Sequence, residues 1–317
     1  MSLGVRKRAR RAAEQLLIKQ AKPVRRLLLA AGRDRAPALP EIVQIEATNI
    51  CNAKCTFCPR DEMDRKQGIM SWELFTKVVD ECAALGIGHV RMHNYGEAFV
   101  DKRLPEKIKY AKQKGIAEVG VITNGSLLGP DIARAVVEAG LDAINISVDA
   151  AGKETFESTR LGLKYDKVMA NIENLVAVRR ELGSRRPKLI LSFVRQDNST
   201  EEQAFIDRWS AIADKVHVTE LHNWAGTLLR RSDVNFPCYR QWLTFTVLWD
   251  GRVSLCCADF DGRVVLGDLN TSTIASIWND DPYRRVRREQ LESGGPSICR
   301  GCDLPKKDSP LWILKLV

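Results

Sequence analysis

At 317 residues the chain is long enough for one large core plus a smaller domain, and no apolar run approaches the ~18 residues of a membrane span. Nine cysteines are an odd number and too sparse for a disulfide scaffold. The N-terminus lacks the apolar stretch and cleavage site of a signal peptide, so a reducing cytoplasm is the expected compartment. The formal charge of +9 sits within residues 1–35, where eleven Lys or Arg oppose Glu14 and Asp34. The remainder is neutral, which argues against a nucleic-acid-binding body.

Residues 1–40 read as a basic arm. Leu16, Leu17, Ile18, Val24, Leu27, Leu28 and Leu29 give it the makings of an amphipathic helix, interrupted near Pro23. Such a segment is either a solvated extension or a contact for an anionic membrane surface or partner. Pro37 and Pro40 separate it from an extended run, 42–46, that leads into a loop with three cysteines. Ser71 then caps an expected helix running to about residue 85, with Glu73 in its first turn. Strands are expected at 89–93, 119–123, 142–147, 188–194 and 216–221, with helices over 129–139, 166–182 and 200–214. Repeated strand–helix units of this length predict a mostly parallel sheet. After residue 221 the pattern changes to short segments, 244–249, 252–256 and 264–266, broken by the turn pairs Asp250-Gly251 and Asp261-Gly262. A second domain is therefore expected over 226–317, after a first over 41–225.

The chemistry lies in the cysteines. Cys51, Cys55 and Cys58 form a C-x3-C-x2-C run. Thiolates select iron–sulfur or zinc. Zinc wants a fourth ligand, and no His or Cys follows within the next twenty residues. A 4Fe–4S cluster on three cysteines keeps one iron open. With the aromatic Phe57 before its last cysteine, the run resembles the signature of radical S-adenosylmethionine enzymes. The resemblance implies that the open iron chelates the methionyl group of the cofactor, which the reduced cluster cleaves to a 5′-deoxyadenosyl radical. It also implies an α/β fold, a partial (β/α)6 barrel, and an electron donor of flavodoxin or ferredoxin type.

A second group comprises Cys238, Cys256 or Cys257, Cys299 and Cys302. On chemistry alone zinc and 4Fe–4S both fit. With Trp242, Asp250-Gly251, Gly267 and Trp278, the group resembles a small α+β SPASM or twitch extension of the same superfamily. That implies one auxiliary 4Fe–4S cluster on Cys238, Cys256, Cys299 and Cys302. The arrangement is similar to the 2-deoxy-scyllo-inosamine dehydrogenases among these enzymes. Cys257, adjacent to a ligand, points elsewhere; it is a small buried hydrophobe or a hydrogen-atom donor to a substrate radical. Cys82 is expected in the core.

The same resemblance implies cofactor contacts. Gly96 and Glu97 match a glycine that admits the methionyl end and a carboxylate that accepts from its ammonium. Thr123 and Asn124 match the polar segment beside the cofactor. Ser147 and Asp149 match the ribose site, and Arg160 the partner of the cofactor carboxylate. His93 and His222 are candidate bases. Arg195 and Glu220 are candidate substrate contacts. The expected function is hydrogen abstraction from a small polyol or amino sugar, with the electron passing to the auxiliary cluster. Alternatives are peptide cross-linking, epimerisation through Cys257, and non-enzymatic electron transfer.

Overall fold

The computed structural model describes residues 36–196, 199–229, 231 and 237–307. The helix expected in the basic arm lies outside the described residues. The chain divides into two compact units, one made of 39–221 and 244–277, the other including 222–243 and 278–307.

The frame of the first unit is a sheet of nine strands: β1 (Ile42–Ile45), β2 (His89–Arg91), β3 (Glu118–Thr123), β4 (Ala143–Ser147), β5 (Lys188–Arg195), β6 (Lys215–Glu220), β7 (Thr244–Val247), β8 (Arg252–Ser254) and β9 (Val265–Asp268). Their spatial order is β9-β8-β7-β1-β2-β3-β4-β5-β6. Strands β1 to β6 run parallel throughout, as an open partial barrel. The short segments beyond residue 240 continue this sheet: β7 lies parallel to β1 with Ile42 opposite Thr244, and β8 and β9 follow antiparallel.

Helices fill the crossovers: α1 (Trp72–Ala84), α2 (Leu104–Gln113), α3 (Pro130–Glu138), α4 (Lys153–Thr159), α5 (Tyr165–Glu181) and α6 (Glu202–Trp209). In α1, Ser71 Oγ accepts from Leu74 N at 3.1 Å, as its sequence predicts. Phe75, Val78, Val79 and Cys82 recur at i, i+3, i+4 and i+7 and are all buried, so Cys82 is core. Each large apolar side chain so buried contributes about 1.5–3 kcal/mol. Helix α2 escapes sequence reading because its stripe, Leu104, Lys107, Ile108 and Ala111, contains a lysine. Lys107 Nζ is satisfied inside by Asp101 at 2.6 Å and the Met70 carbonyl at 2.7 Å.

In the second unit, helix α7 (Asp281–Glu292) starts at the cap Asp280 and buries Tyr283, Val286, Arg287 and Gln290 on one face. Arg287 sits over the Trp278 ring at 4.3 Å and donates to the Gln241 and Trp278 carbonyls at 2.9 and 3.0 Å. Among the described residues no helix is long and apolar enough to cross a membrane.

Candidate iron–sulfur and cofactor site

The cysteine loop follows β1 directly. Its residues Lys54–Cys55 form a two-residue antiparallel ladder with Arg160–Leu161, and Thr56 N donates to Thr159 O at 2.9 Å. Cys58 N closes a turn onto Cys55 O at 3.1 Å. Burial pushes the Cys51 and Cys55 thiols up, and that of Cys58 to about 11. Thiolates in such a place want a cation beside them. Arg160 Nη1 lies 3.6 Å from Cys55 Sγ. Among the described residues no three His, Cys, Asp or Glu side chains form a single-ion site. Three soft donors on one pinned loop, with a guanidinium alongside, fit a cluster in which each thiolate binds its own iron.

Around this loop stand the ends of successive strands. Gly96, past β2, has φ +84°, and a Cβ there would lie 2.7 Å from Ile50 O and 2.8 Å from Thr48 O. Only glycine lets this segment close on the entrance to the cysteine loop, where Glu97 N donates to Ile50 O at 2.9 Å. Glu97 is buried. Its carboxylate accepts from Thr123 Oγ1 at 2.6 Å, Asn124 N at 2.7 Å and Phe99 N at 3.2 Å. Burial raises its pKa against the pull of those donors. Asn124 Nδ2 donates to Asn52 Oδ1 at 2.9 Å, and Asn52 Nδ2 to Ser126 Oγ at 2.9 Å, tying the end of β3 to the residue after Cys51.

Asp149, beyond β4, holds the left-handed conformation at φ 64°. Its Oδ1 accepts from Val194 N at 2.8 Å, and its Oδ2 from Arg160. The Arg160 guanidinium stands over the Phe57 ring at 5.4 Å, and its buried Nε has no hydrogen-bond partner. Burial works against the Arg160 charge, but Asp149 and the neighbouring cysteines outweigh it and raise the pKa. Phe57, Arg160, Asp149 and Cys55 are thus one cluster. Ser147 ends β4 opposite Ser192.

The remaining sequence candidates fall elsewhere or are engaged. Arg195 and Glu220 face each other across β5 and β6 and form an ion pair, with Glu202 binding Arg195 at 2.5 and 2.8 Å. His93 Nδ1 is enclosed without a partner, and burial, then the Arg91 charge, push the ring down to about 3. His222, in the second unit, packs against Trp224 with ring centroids 3.9 Å apart and the planes tilted by 59°. The carbonyl of half-buried Cys257 accepts from Tyr95 Oη at 2.5 Å. Cys256 lies in the first unit; Cys238, Cys299 and Cys302 lie in the second.

Sequence reading missed several residues that hold these parts. Arg65 binds Glu46 at 2.6 and 2.5 Å and reaches Phe260 O at 2.6 Å, fixing the chain after the cysteine loop to the segment after Cys257. In the second unit Asn223 Nδ2 donates to Gly301 O at 2.7 Å, and Asp303 Oδ1 accepts from Asn223 N at 2.9 Å, bracing the C-x2-C loop. Gln290 stands between Cys238 and Cys299. A signal for it existed: Tyr283, Val286, Arg287 and Gln290 share a helical face, which places a glutamine on the buried stripe.

Residues 45–184 match the Radical SAM superfamily, and residues 238–303 match SPASM, an iron–sulfur cluster-binding domain. GTP 3′,8-cyclase of Chlorobaculum tepidum is 30% identical over 175 residues, 55% of this chain and 51% of that protein. The probable GTP 3′,8-cyclase of Saccharolobus solfataricus is 30% identical over 183 residues, 57% of each chain. The chain spans little more than half the length of these curated relatives. Among solved structures, BtrN in complex with AdoMet and 2-DOIA aligns with TM-score 0.60 at 19% identity, covering 84% of this chain and 93% of BtrN. Streptococcus suis SuiB bound to the precursor peptide SuiA gives 0.65 at 13%, covering 90% and 74%. These likenesses are of fold.

The chain thus combines a radical SAM fold, matched over residues 45–184, with a C-terminal SPASM domain, matched over 238–303. Those domains imply an S-adenosylmethionine-binding 4Fe–4S cluster and a further, auxiliary cluster.

Proposed function

We propose that this protein is a radical S-adenosylmethionine oxidoreductase that converts a hydroxyl-bearing carbon of a small polyol or amino sugar to a ketone. The observation that carries the cofactor part of the reading is the junction of Arg160 with Asp149 and Cys55, whose guanidinium keeps one buried nitrogen unpartnered. A guanidinium held in this way suits a cofactor carboxylate beside the cluster loop. Cys51, Cys55 and Cys58 hold the first cluster in this reading. Cys238, Cys256, Cys299 and Cys302, all within the matched SPASM segment, hold the second.

When bound, the first cluster with S-adenosylmethionine supplies a 5′-deoxyadenosyl radical, and the second supplies a one-electron acceptor. The substrate carbon loses a hydrogen atom to that radical, then an electron to the acceptor, while its hydroxyl loses a proton to a base. The products are methionine, 5′-deoxyadenosine and the ketone. Gly96 and the network of Glu97, Thr123 and Asn124 shape the methionyl end, and Ser147 and Asp149 the ribose end. His93, pushed down to about 3, is neutral and a weak base, so His222 is assigned the hydroxyl proton. A flavodoxin or ferredoxin-type protein is the proposed electron donor. BtrN, whose fold this chain shares over 84% of its length, binds 2-DOIA, and a small substrate of that kind is the one proposed here.

A second reading, radical chemistry on a purine nucleotide, is favoured by the 30% identity to GTP 3′,8-cyclases. One experiment separates the two. Anaerobically reduced protein is given S-adenosylmethionine alone, with a panel of cyclitols and amino sugars, or with GTP. Substrate-dependent 5′-deoxyadenosine matched by a ketone supports the oxidoreductase. Stimulation by GTP alone supports the nucleotide reading. Persistent absence of 5′-deoxyadenosine from fully reconstituted protein would sink both.

A further inference from the structure

Gln290 is 1% exposed on the inner face of α7 and makes two bonds to cysteines of the second unit. Its Oε1 accepts from Cys238 N at 2.9 Å, and its Nε2 donates to Cys299 Sγ at 3.2 Å. The orientation of the amide is forced. The backbone N–H of Cys238 is a donor, so the oxygen must face it and the NH2 must face the sulfur.

The surrounding chain makes room for this contact. Gly295 has φ +92°, and a Cβ there would lie 2.3 Å from Gln290 Nε2 and 3.1 Å from Cys299 Cβ. Any other residue would push the amide off the sulfur. The turn carrying Gly295 is fixed to the end of α7 by Gly295 N donating to Glu289 O at 2.9 Å. The bond to Cys299 therefore belongs to a built arrangement in which helix end, glycine and glutamine are matched.

We infer that Gln290 is a positioning residue of the auxiliary cluster: it sets Cys238 and Cys299 relative to each other and donates an N–H···S bond that raises the cluster's reduction potential. The inference rests on the reading of Cys238 and Cys299 as cluster ligands. Reduction adds negative charge that spreads onto the cysteine sulfurs, and a donor there stabilises the reduced form more than the oxidised one. For a proposed electron acceptor this is the useful direction.

The test is a redox titration of reconstituted protein followed by EPR, on wild type, Gln290→Leu and Gln290→Glu. Glutamate keeps an oxygen for Cys238 N and takes away the sulfur's donor. Both variants should lower the auxiliary potential, with the equilibrium for reduction falling about tenfold or more, or about 59 mV for one electron. The first cluster should keep its potential. An unchanged auxiliary potential in Gln290→Leu with full iron content would overturn the inference. Pulsed EPR of the reduced wild type, with glutamine side-chain amides labelled with 15N, reads the bond without substitution: a 15N coupling supports it, and none overturns it. Wild type holding only four irons would instead remove the auxiliary-cluster reading, and the inference with it.

Discussion

Arg160 and Asp149 form an ion pair whose side chains are only 6% and 0% exposed, and the same guanidinium reaches to 3.6 Å from the Cys55 sulfur. One residue thus joins the end of the fourth strand to the cysteine loop. Replacing it with methionine deprives a buried carboxylate of its counter-ion, which should cost about 3–5 kcal/mol. Arg160→Lys should cost less, because the charge remains, yet the ammonium lacks the planar fork whose separate nitrogens face Asp149 and Cys55. Urea unfolding under anaerobic conditions orders the three proteins. Equilibrium dialysis should show weaker S-adenosylmethionine binding in both variants, and tight binding by Arg160→Met would argue against its proposed role.

Gly96→Ala should be damaging for two separable reasons. The backbone at φ +84° is strained for alanine, by roughly 1–3 kcal/mol. The new Cβ would also meet backbone atoms at 2.7–2.8 Å, and backbone cannot step aside as a side chain can. The cysteine loop must shift, so iron incorporation at the first site should fall along with stability. Full iron content and wild-type stability in the purified variant would contradict this.

Much of this site was legible because its determinants are local. Three soft ligands within eight residues, a serine cap three residues before the N–H it receives, and polar residues just past apolar strand runs all leave a mark in the sequence. What stayed hidden depends on distant partners. Nothing local marks Arg65 and Glu46 as partners; the fold buries them together, with Arg65 also reaching Phe260 O. Lys107 obscures the apolar stripe of its own helix because Asp101 and Met70 O satisfy it inside. Gln290 lies on a helical face that the sequence marks as buried, but its role depends on Cys238, 52 residues earlier, as well as on Cys299. The parallel pairing of Ile42 with Thr244 joins segments about two hundred positions apart, and no local periodicity reports it.

His93 predicts a pH dependence. Burial, then Arg91, lower its pKa from the usual 6.5 to about 3, so the unfolded chain binds this proton more readily than the folded one. Its stabilising contribution is fully present above about pH 6.5 and is lost as pH falls toward 3, with a slope of at most about 1.4 kcal/mol per pH unit. His93→Phe removes both the titration and the unpartnered Nδ1. Stability measured in urea from pH 7 to pH 5 should therefore decline less steeply in the variant. The decline should not vanish, since burial lowers the His217 pKa as well and that residue acts with the same sign. Parallel curves for the two proteins would show that His93 titrates normally.

Iron content tests the two-cluster assignment directly. Reconstituted protein should hold close to eight irons and eight sulfides, the content of two 4Fe–4S centres. Cys55→Ala should leave about half the iron and abolish cofactor cleavage. Cys299→Ala should also leave about half, yet retain some 5′-deoxyadenosine formation, because the cysteine loop and its arginine are untouched. Stoichiometric zinc in place of the second four irons would assign the C-terminal cysteines a structural metal instead.

Cys257 decides between oxidation and epimerisation. Its carbonyl is anchored by Tyr95 Oη at 2.5 Å, and this bond runs through the backbone, so shortening the side chain leaves the anchor in place. If the substrate radical ends by giving up an electron, no hydrogen atom returns and the thiol has no chemical part. Cys257→Ala should then cost about 1–2 kcal/mol at most, with one oxidised product still formed for each 5′-deoxyadenosine. If the thiol instead returns a hydrogen atom, the same change should abolish product while cofactor cleavage continues. The wild-type product made in heavy water would then carry one deuterium at an inverted carbon. The oxidation pattern is the expected one, because the proposed ligand set of Cys238, Cys256, Cys299 and Cys302 would make an electron acceptor without Cys257. Deuterium at an inverted carbon would reverse the assignment and make Cys257 catalytic.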